Sequence, residues 1–273
     1  MSDVRTAALS GKRILVTRPS GQAGGLSALI RAAGGEPLEV PAIEIRDLAN
    51  LADLASFHAA ADRLESFDFA IFVSRNAVRK ALELLRARRG GKAWPAHLRV
   101  ATIGGGSRAE LEAQGFAGVI APPAFSALSA RSDSEALLLL PELSNLTGKR
   151  IVVFRGDGGR NLLGDTLVAR GASVEYAACY RRVLPEGGAA RLAAAWAGGE
   201  VHAVTVSSSE GLANLLEMLG AGGAERLRGA ALFVPHPRVA DDAARRGLVE
   251  AIVAGPGNAE MAAALVAYFG GAG

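Results

Sequence analysis

Short runs of β-branched and aromatic residues recur along the chain, each followed by a polar or glycine-rich loop and then by a helical pattern. The runs are RILVT (13–17), FAIFV (69–73), RVATI (99–103), RIVVF (150–154), AVTV (203–206) and ALFV (231–234). Apolar and polar residues do not alternate within them. Near-continuous apolar strands interleaved with helices predict parallel sheets covered on both faces. In NAVRKALELL (76–85), Val78, Leu82 and Leu85 fall at helical spacing, as do Leu212, Leu215, Leu216 and Leu219 in GLANLLEML (211–219). RARRG (86–90) closes the helix predicted over 76–88, where positive charge suits the dipole. Ser132 with Glu135 makes a capping box ahead of ALLLL, and APPAFSALSARS (121–132) before it reads as a mobile loop.

The strands also repeat. GKRILVTRPSGQ (11–22) returns as GKRIVVFRGDGG (148–159), an offset of 137 residues from 11 to 148. FDFAIFVSRNAVRKALELL (67–85) matches VHAVTVSSSEGLANLLEML (201–219), aligning Ser74 with Ser208 at an offset of 134. VATIGGGSRAELEAQGF (100–116) matches ALFVPHPRVADDAARRGL (231–248), aligning Gly115 with Gly247 at an offset of 132. Three blocks in one order, with a period far too long for a solenoid, indicate a duplication and two similar domains. Taken alone, the repeat divides the chain near residue 147.

Ligands of open α/β sheets bind at the carboxyl ends of the strands, so the loops there carry the candidate chemistry. Arg18 follows the first strand, Arg75 the second and Arg108 the third; Arg155 and Arg160 surround the fourth, and Arg238 follows the sixth. The fifth loop, SSSEG, offers hydroxyls instead. Helix N-termini present free amides, and guanidinium forks recognise carboxylates and phosphates, so this set favours an anionic ligand. A single loop arginine can equally be solvated or paired with a nearby acid. Five loops of six with an arginine is a stronger pattern.

Composition narrows the field. The chain has 273 residues, half of them hydrophobic, enough for two cores. A net charge of +3 without clustered Lys/Arg runs does not suggest a nucleic-acid binder. MSDVRTAALSG lacks the apolar run of a signal peptide, and MAAALVAYF (261–269) is too short for a membrane span and reads as a packed helix. The single cysteine, Cys179, excludes an internal disulfide, suits a reducing cytoplasm and reads as structural filler. IGGGSRA (103–109) fits the dinucleotide fingerprint, but the acid expected about twenty residues on is missing. There is no Walker sequence, and His58, His97, His202 and His236 lack metal-ligand spacing. Ser74 and Ser208 read as helix N-caps whose hydroxyls and amides can also grip a ligand. Tyr180, between an apolar and a charged run, reads as interface packing with a wetted hydroxyl.

Together these residues resemble the uroporphyrinogen-III synthase family over roughly 11 to 260. The resemblance rests on VTRPSGQ, VSRNAV, IGGGSRAELEAQG, FRGDGGRNLL, CYRR, SSSEGLANL and PHPRVA, in that order. The chain departs from the family pattern at Ser107, where threonine is frequent, and at Val239 in the second copy of that motif.

The resemblance implies an α/β fold of two similar doubly wound, flavodoxin-like, parallel-sheet domains joined by two crossing strands around a central cleft. The domains would be 1–41 with 183–273, and 42–182, with Tyr180 at the hinge. It implies hydroxymethylbilane as substrate, cyclised with inversion of ring D and loss of water, without metal or cofactor. Arg18, Ser74, Arg75, Ser107, Arg108, Arg155, Gly156, Ser208, Ser209 and Arg238 would bind its carboxylate arms. Tyr180 would assist departure of the ring A hydroxyl, since a phenol donates a proton while neutral at pH 7. The implied protein is a cytoplasmic monomer with no nucleic-acid or membrane partner, in transient contact with the preceding pathway enzyme. Two other readings fit the residues: a binding module that closes on an anionic metabolite, and a nucleotide-using α/β enzyme.

Overall fold

Each apolar run forms a strand, and the strands associate as parallel sheets. The computed structural model describes residues 8–123, 133–248 and 250–271. Ser132 of the expected capping box and most of the 121–132 loop lie outside the described residues. In chain order the elements begin β1 (Arg13–Val16), α1 (Gly24–Ala32), β2 (Glu36–Glu39), β3 (Glu44–Arg46), α2 (Leu51–Asp62), β4 (Phe69–Phe72) and α3 (Arg75–Arg89). They continue β5 (Arg99–Thr102), α4 (Gly105–Ala113), α5 (Asp133–Leu138), β6 (Arg150–Gly156), α6 (Leu162–Ala169) and β7 (Ser173–Val183). The remainder are α7 (Gly188–Ala197), β8 (Ala203–Thr205), α8 (Ser209–Leu219), α9 (Gly223–Arg228), β9 (Ala231–Val234), α10 (Pro237–Arg245), β10 (Ile252–Val253) and α11 (Asn258–Gly270).

The chain divides into two compact units. One comprises Met1–Glu44 with Val183–Gly273, and the other Ile45–Arg182. The first carries a sheet of order β10-β9-β8-β1-β2, with parallel pairing along its length. The second is built on the sheet β3-β7-β6-β4-β5, whose β7-β6-β4-β5 pairings are parallel. The sequence repeat is a repeat of sheet position. The strands β9-β8-β1-β2 lie in the same order as their sequence counterparts β5-β4-β6-β7, and Arg13↔Glu36 has the same register as Arg150↔Ser173. Even the short β10 has an echo: Ile120, 132 residues before Ile252, makes a parallel bridge to Ala101 beside β5.

Both faces of each sheet are buried, which is why the strands read as continuous apolar runs. In the second unit Ala70, Phe72, Val152 and Phe154 face one core, and Phe69, Ile71, Ile151 and Val153 the other. Phe154, fully buried, stacks on Phe72 with centroids 4.9 Å apart and meets Phe57 at 5.8 Å. In the first unit the two cores divide in the same way, Leu15, Val204 and Leu232 against Ile14, Val16 and Phe233. Helix α3 ends at Gly90, whose φ of 59° is the left-handed cap that glycine adopts without strain. Its terminal arginines do more than face the dipole. Arg88 forks onto Asp62 at 2.7 and 2.8 Å, Arg86 bonds Gln114, and Arg89 pairs with Glu65.

Replacing Phe154 by alanine removes the ring that joins Phe72 to Phe57. Urea denaturation should show a loss of about 3–5 kcal/mol. A loss below about 1 kcal/mol would mean that the cavity collapses and the aromatic cluster is dispensable.

Candidate functional site

The carboxyl ends of β4, β5 and β6 gather one group of the predicted residues. Ser74 follows β4 in extended backbone and caps α3, its Oγ accepting the Ala77 N–H at 3.0 Å. That bond answers one of the donors a helix N-terminus leaves open. Arg75, the first residue of α3, lies across Gly106, with Cδ 3.4 Å from where a β-carbon would stand. Ser107 is buried inside the first turn of α4. Arg108 turns along the same helix to Glu112 at 2.8 Å and does not join the group.

Tyr180 joins it from β7. Its hydroxyl lies 3.0 Å from Ser74 Oγ, and its carbonyl accepts the Asp157 N–H at 2.7 Å. The register between β6 and β7 shifts here, from Arg155↔Ala178 to Gly156↔Tyr180, so Cys179 is the extra residue of a bulge. The bulge swings Tyr180 into the core that already holds Ala177 and Cys179. The ring is 2% exposed, in place of the wetted hydroxyl that the sequence pattern suggests. Gly156 makes this possible, because a β-carbon there would lie 2.8–2.9 Å from Tyr180 Cε2 and Cζ. Cys179 is the filler expected: its Sγ donates to the Arg155 carbonyl at 3.1 Å, and burial pushes the thiol up to about 12.

Arg155 packs over the Tyr176 ring at 4.8 Å and donates to the carbonyls of Gly158 and Arg160 and to Asn161 Oδ1. It therefore orders its own loop, and the guanidinium passes through the space that a side chain on Gly159 would fill. Sequence reasoning missed Arg181. It bridges Asp157 at 3.1 Å and Asp53 at 3.0 Å, and these bonds raise its already high pKa. The signal was present in CYRR, where Arg181 directly follows Tyr180, but its acids lie elsewhere in the sequence.

The first unit assembles the second group. Thr17 Oγ1 donates to the Thr205 carbonyl at 2.8 Å and laces β1 to β8 beneath Arg18, which reaches the Pro256 carbonyl at 3.5 Å. Ser208 caps α8 through the Gly211 N–H at 3.0 Å, and Ser209 Oγ accepts from Arg238 at 3.4 Å. Among the described residues no group of three or more His, Cys, Asp or Glu could hold a metal ion.

A family model described as uroporphyrinogen-III synthase HemD matches residues 25–263. The chain is 36% identical over 205 residues to uroporphyrinogen-III synthase of Salmonella typhimurium, covering 74% of this chain and 78% of that protein. The Escherichia coli protein of the same name is 35% identical over 206 residues, with 76% and 79% covered. The fold resembles a mutant uroporphyrinogen III synthase from the extremely thermophilic bacterium Thermus thermophilus, with a TM-score of 0.59, 19% identity and coverage of 87% and 90%. It also resembles uroporphyrinogen-III synthetase from Helicobacter pylori, with a TM-score of 0.56, 13% identity and coverage of 92% and 96%.

Alanine at Gly156 sets a methyl against the Tyr180 ring. Thermal or urea unfolding should register a loss of about 1–3 kcal/mol, the usual cost of overpacking. Unchanged stability would show that the ring leaves its pocket freely.

Proposed function

Since the chain belongs to the uroporphyrinogen-III synthase family, we propose that it cyclises hydroxymethylbilane to uroporphyrinogen III with inversion of ring D and loss of water. It is a cyclising lyase of tetrapyrrole biosynthesis. The observation that carries this reading is the family match across residues 25–263, supported by two relatives above 30% identity. The binding-module and nucleotide-enzyme readings have no comparable support.

We read two flavodoxin-like domains, 1–41 with 183–273 and 42–182, whose bounds lie within three residues of the two compact units. Numbered in chain order, the first unit's strands run 2-1-3-4-5 across the sheet, the flavodoxin order, which supports this assignment. The substrate offers acetate and propionate arms, and the strand ends offer arginines and capped helix N-termini. Arg18, Ser74, Arg75, Ser107, Arg108, Arg155, Gly156, Ser208, Ser209 and Arg238 are the proposed contacts. The partners of Arg155 are neutral carbonyls, an amide and a ring, so its full charge is available to a carboxylate. Loss of the ring A hydroxyl gives an electrophilic azafulvene; ring D attacks through its substituted carbon, and the spiro intermediate fragments and recloses inverted. Orientation of ring D is the protein's main contribution, a legitimate source of large rate effects. Tyr180 would supply a proton to the departing hydroxyl. At 2% exposure it meets a substrate only after the side chains over it part. Among the described residues no helix is long and apolar enough to cross a membrane. A cytoplasmic monomer in transient contact with the preceding pathway enzyme is part of the same proposal.

Purified, chelator-treated, nucleotide-free protein should make the type III isomer from hydroxymethylbilane. Type I product alone would refute the assignment. Alanine at both Arg18 and Arg155 should raise KM and make it more sensitive to salt, because charge-assisted contacts at a surface are screened. An unchanged KM and salt response in the folded double variant would leave both residues a loop-ordering role only.

A further inference from the structure

The duplication supplies its own control for Ser74. Ser74 and Ser208 are counterparts in the two units, and both cap a helix in extended backbone with an N–H···Oγ distance of 3.0 Å. What lies beside the two hydroxyls differs. At the offset of 137 that relates Arg18 to Arg155, the counterpart of Tyr180 is Ile43, and that of Gly156 is Pro19. Ile43 Cδ1 and Ser208 Oγ both pack at Gly211, 3.7 and 3.4 Å from the place a β-carbon would take. One copy therefore brings a methyl group to the same glycine as its capping serine. The other sets the phenol of Tyr180 there, 3.0 Å from Ser74 Oγ, in space opened by a glycine and a bulge.

We infer that Ser74 is a positioning residue that donates its hydroxyl proton to Tyr180 Oη, coupling the N-terminus of α3 to the phenol. This rests on the synthase reading. A serine hydroxyl has one proton and two lone pairs, and the Ala77 N–H occupies one lone pair. With the proton directed at Tyr180, the chain runs Ala77 N–H to Ser74 O–H to Tyr180 Oη, each bond polarising the next. In this orientation the phenol proton is not the one spent on the bond between them. In the opposite orientation it would be used up on Ser74. When the hydroxymethyl C–O bond breaks, its electron pair goes to oxygen, which takes the Tyr180 proton and leaves as water. The phenolate is held by the Ser74 O–H and the positive end of α3, and recovers its proton from the carbon that ring closure deprotonates.

The test uses full-length protein with 13Cζ-labelled tyrosine, the Tyr180 resonance being assigned by its absence in Tyr180→Phe. Ser74→Gly removes the hydroxyl while glycine remains an acceptable cap. It should shift the Tyr180 resonance and lower kcat about tenfold, the loss of one hydrogen bond, with product still type III. Ser74→Thr should restore both readouts. Ser74→Cys, a weaker donor, should fall between, which keeps the series decisive if the glycine variant does not fold. Ser208→Gly should leave the Tyr180 resonance unmoved. Tyr180→Phe should cost about 10²-fold in kcat, the low end of general-acid contributions, and Ser74→Gly added to it should cost nothing more. An unmoved resonance in Ser74→Gly, or the same kcat loss with and without the phenol, would overturn the inference and leave Ser74 a helix cap. Wild-type kcat in Tyr180→Phe would overturn it as well. The resonance needs no substrate, so it reads the bond separately from the product assay that tests the synthase assignment.

Discussion

Burial of both faces of a parallel sheet is the constraint from which the rest follows. Strands such as β4 and β6 have no face to spare for polar chemistry: Phe69, Ala70, Ile71 and Phe72 are all buried, as are Ile151 to Phe154. An unpaired polar group there would cost the desolvation of that group with nothing in return. Chemistry is therefore displaced to the strand ends, where the chain leaves the sheet and helix N-termini present unsatisfied amides. Ser74, Gly104 and Ser208 occupy such junctions, and so do the arginines. The fold determines where function can reside before any side chain determines what that function is.

Within that frame the two copies have diverged at the strand ends. The two copies keep strand order, register and serine caps. They differ where β6 meets β7. At these positions one copy has Pro19 and Ile43, whereas in the other a glycine at 156 admits the Tyr180 ring. Neither change would suffice alone. A tyrosine opposite any side chain at position 156 would clash, and a glycine without the bulge would leave Tyr180 on the face of Tyr176, which packs in the other core.

This explains what was legible in the sequence and what was not. The runs that became β1, β4, β5, β6, β8 and β9 are apolar because both faces are buried, and α3 is visible because its leucines keep helical spacing. The parallel α/β architecture could thus be read directly. So could the N-caps Ser74 and Ser208, which depend on residues three apart. The bulge at Cys179 could not, because a period-two reading has no term for an extra residue, and it places Tyr180 on the wrong face. The partners of Arg181 were equally hidden: Asp53 lies 128 residues away, and only the sheet brings it near. β3 and β10, of three and two residues, are too short for any periodicity to register.

The strand-end arginines look alike in sequence, and the structure separates them by the charge of what they touch. Arg108 and Arg181 meet carboxylates, at Glu112 and at Asp53 with Asp157, so an incoming anion must compete with an acid already in place. Those pairs are substantially exposed and hold weakly, which makes such competition feasible but limits what each adds to stability. Arg155 meets only neutral acceptors and an aromatic face in its described contacts. Neutral partners orient a guanidinium without cancelling its charge. A carboxylate arriving at such a guanidinium would displace no protein acid. That physical distinction, and not the number of arginines, separates loops that look alike in sequence.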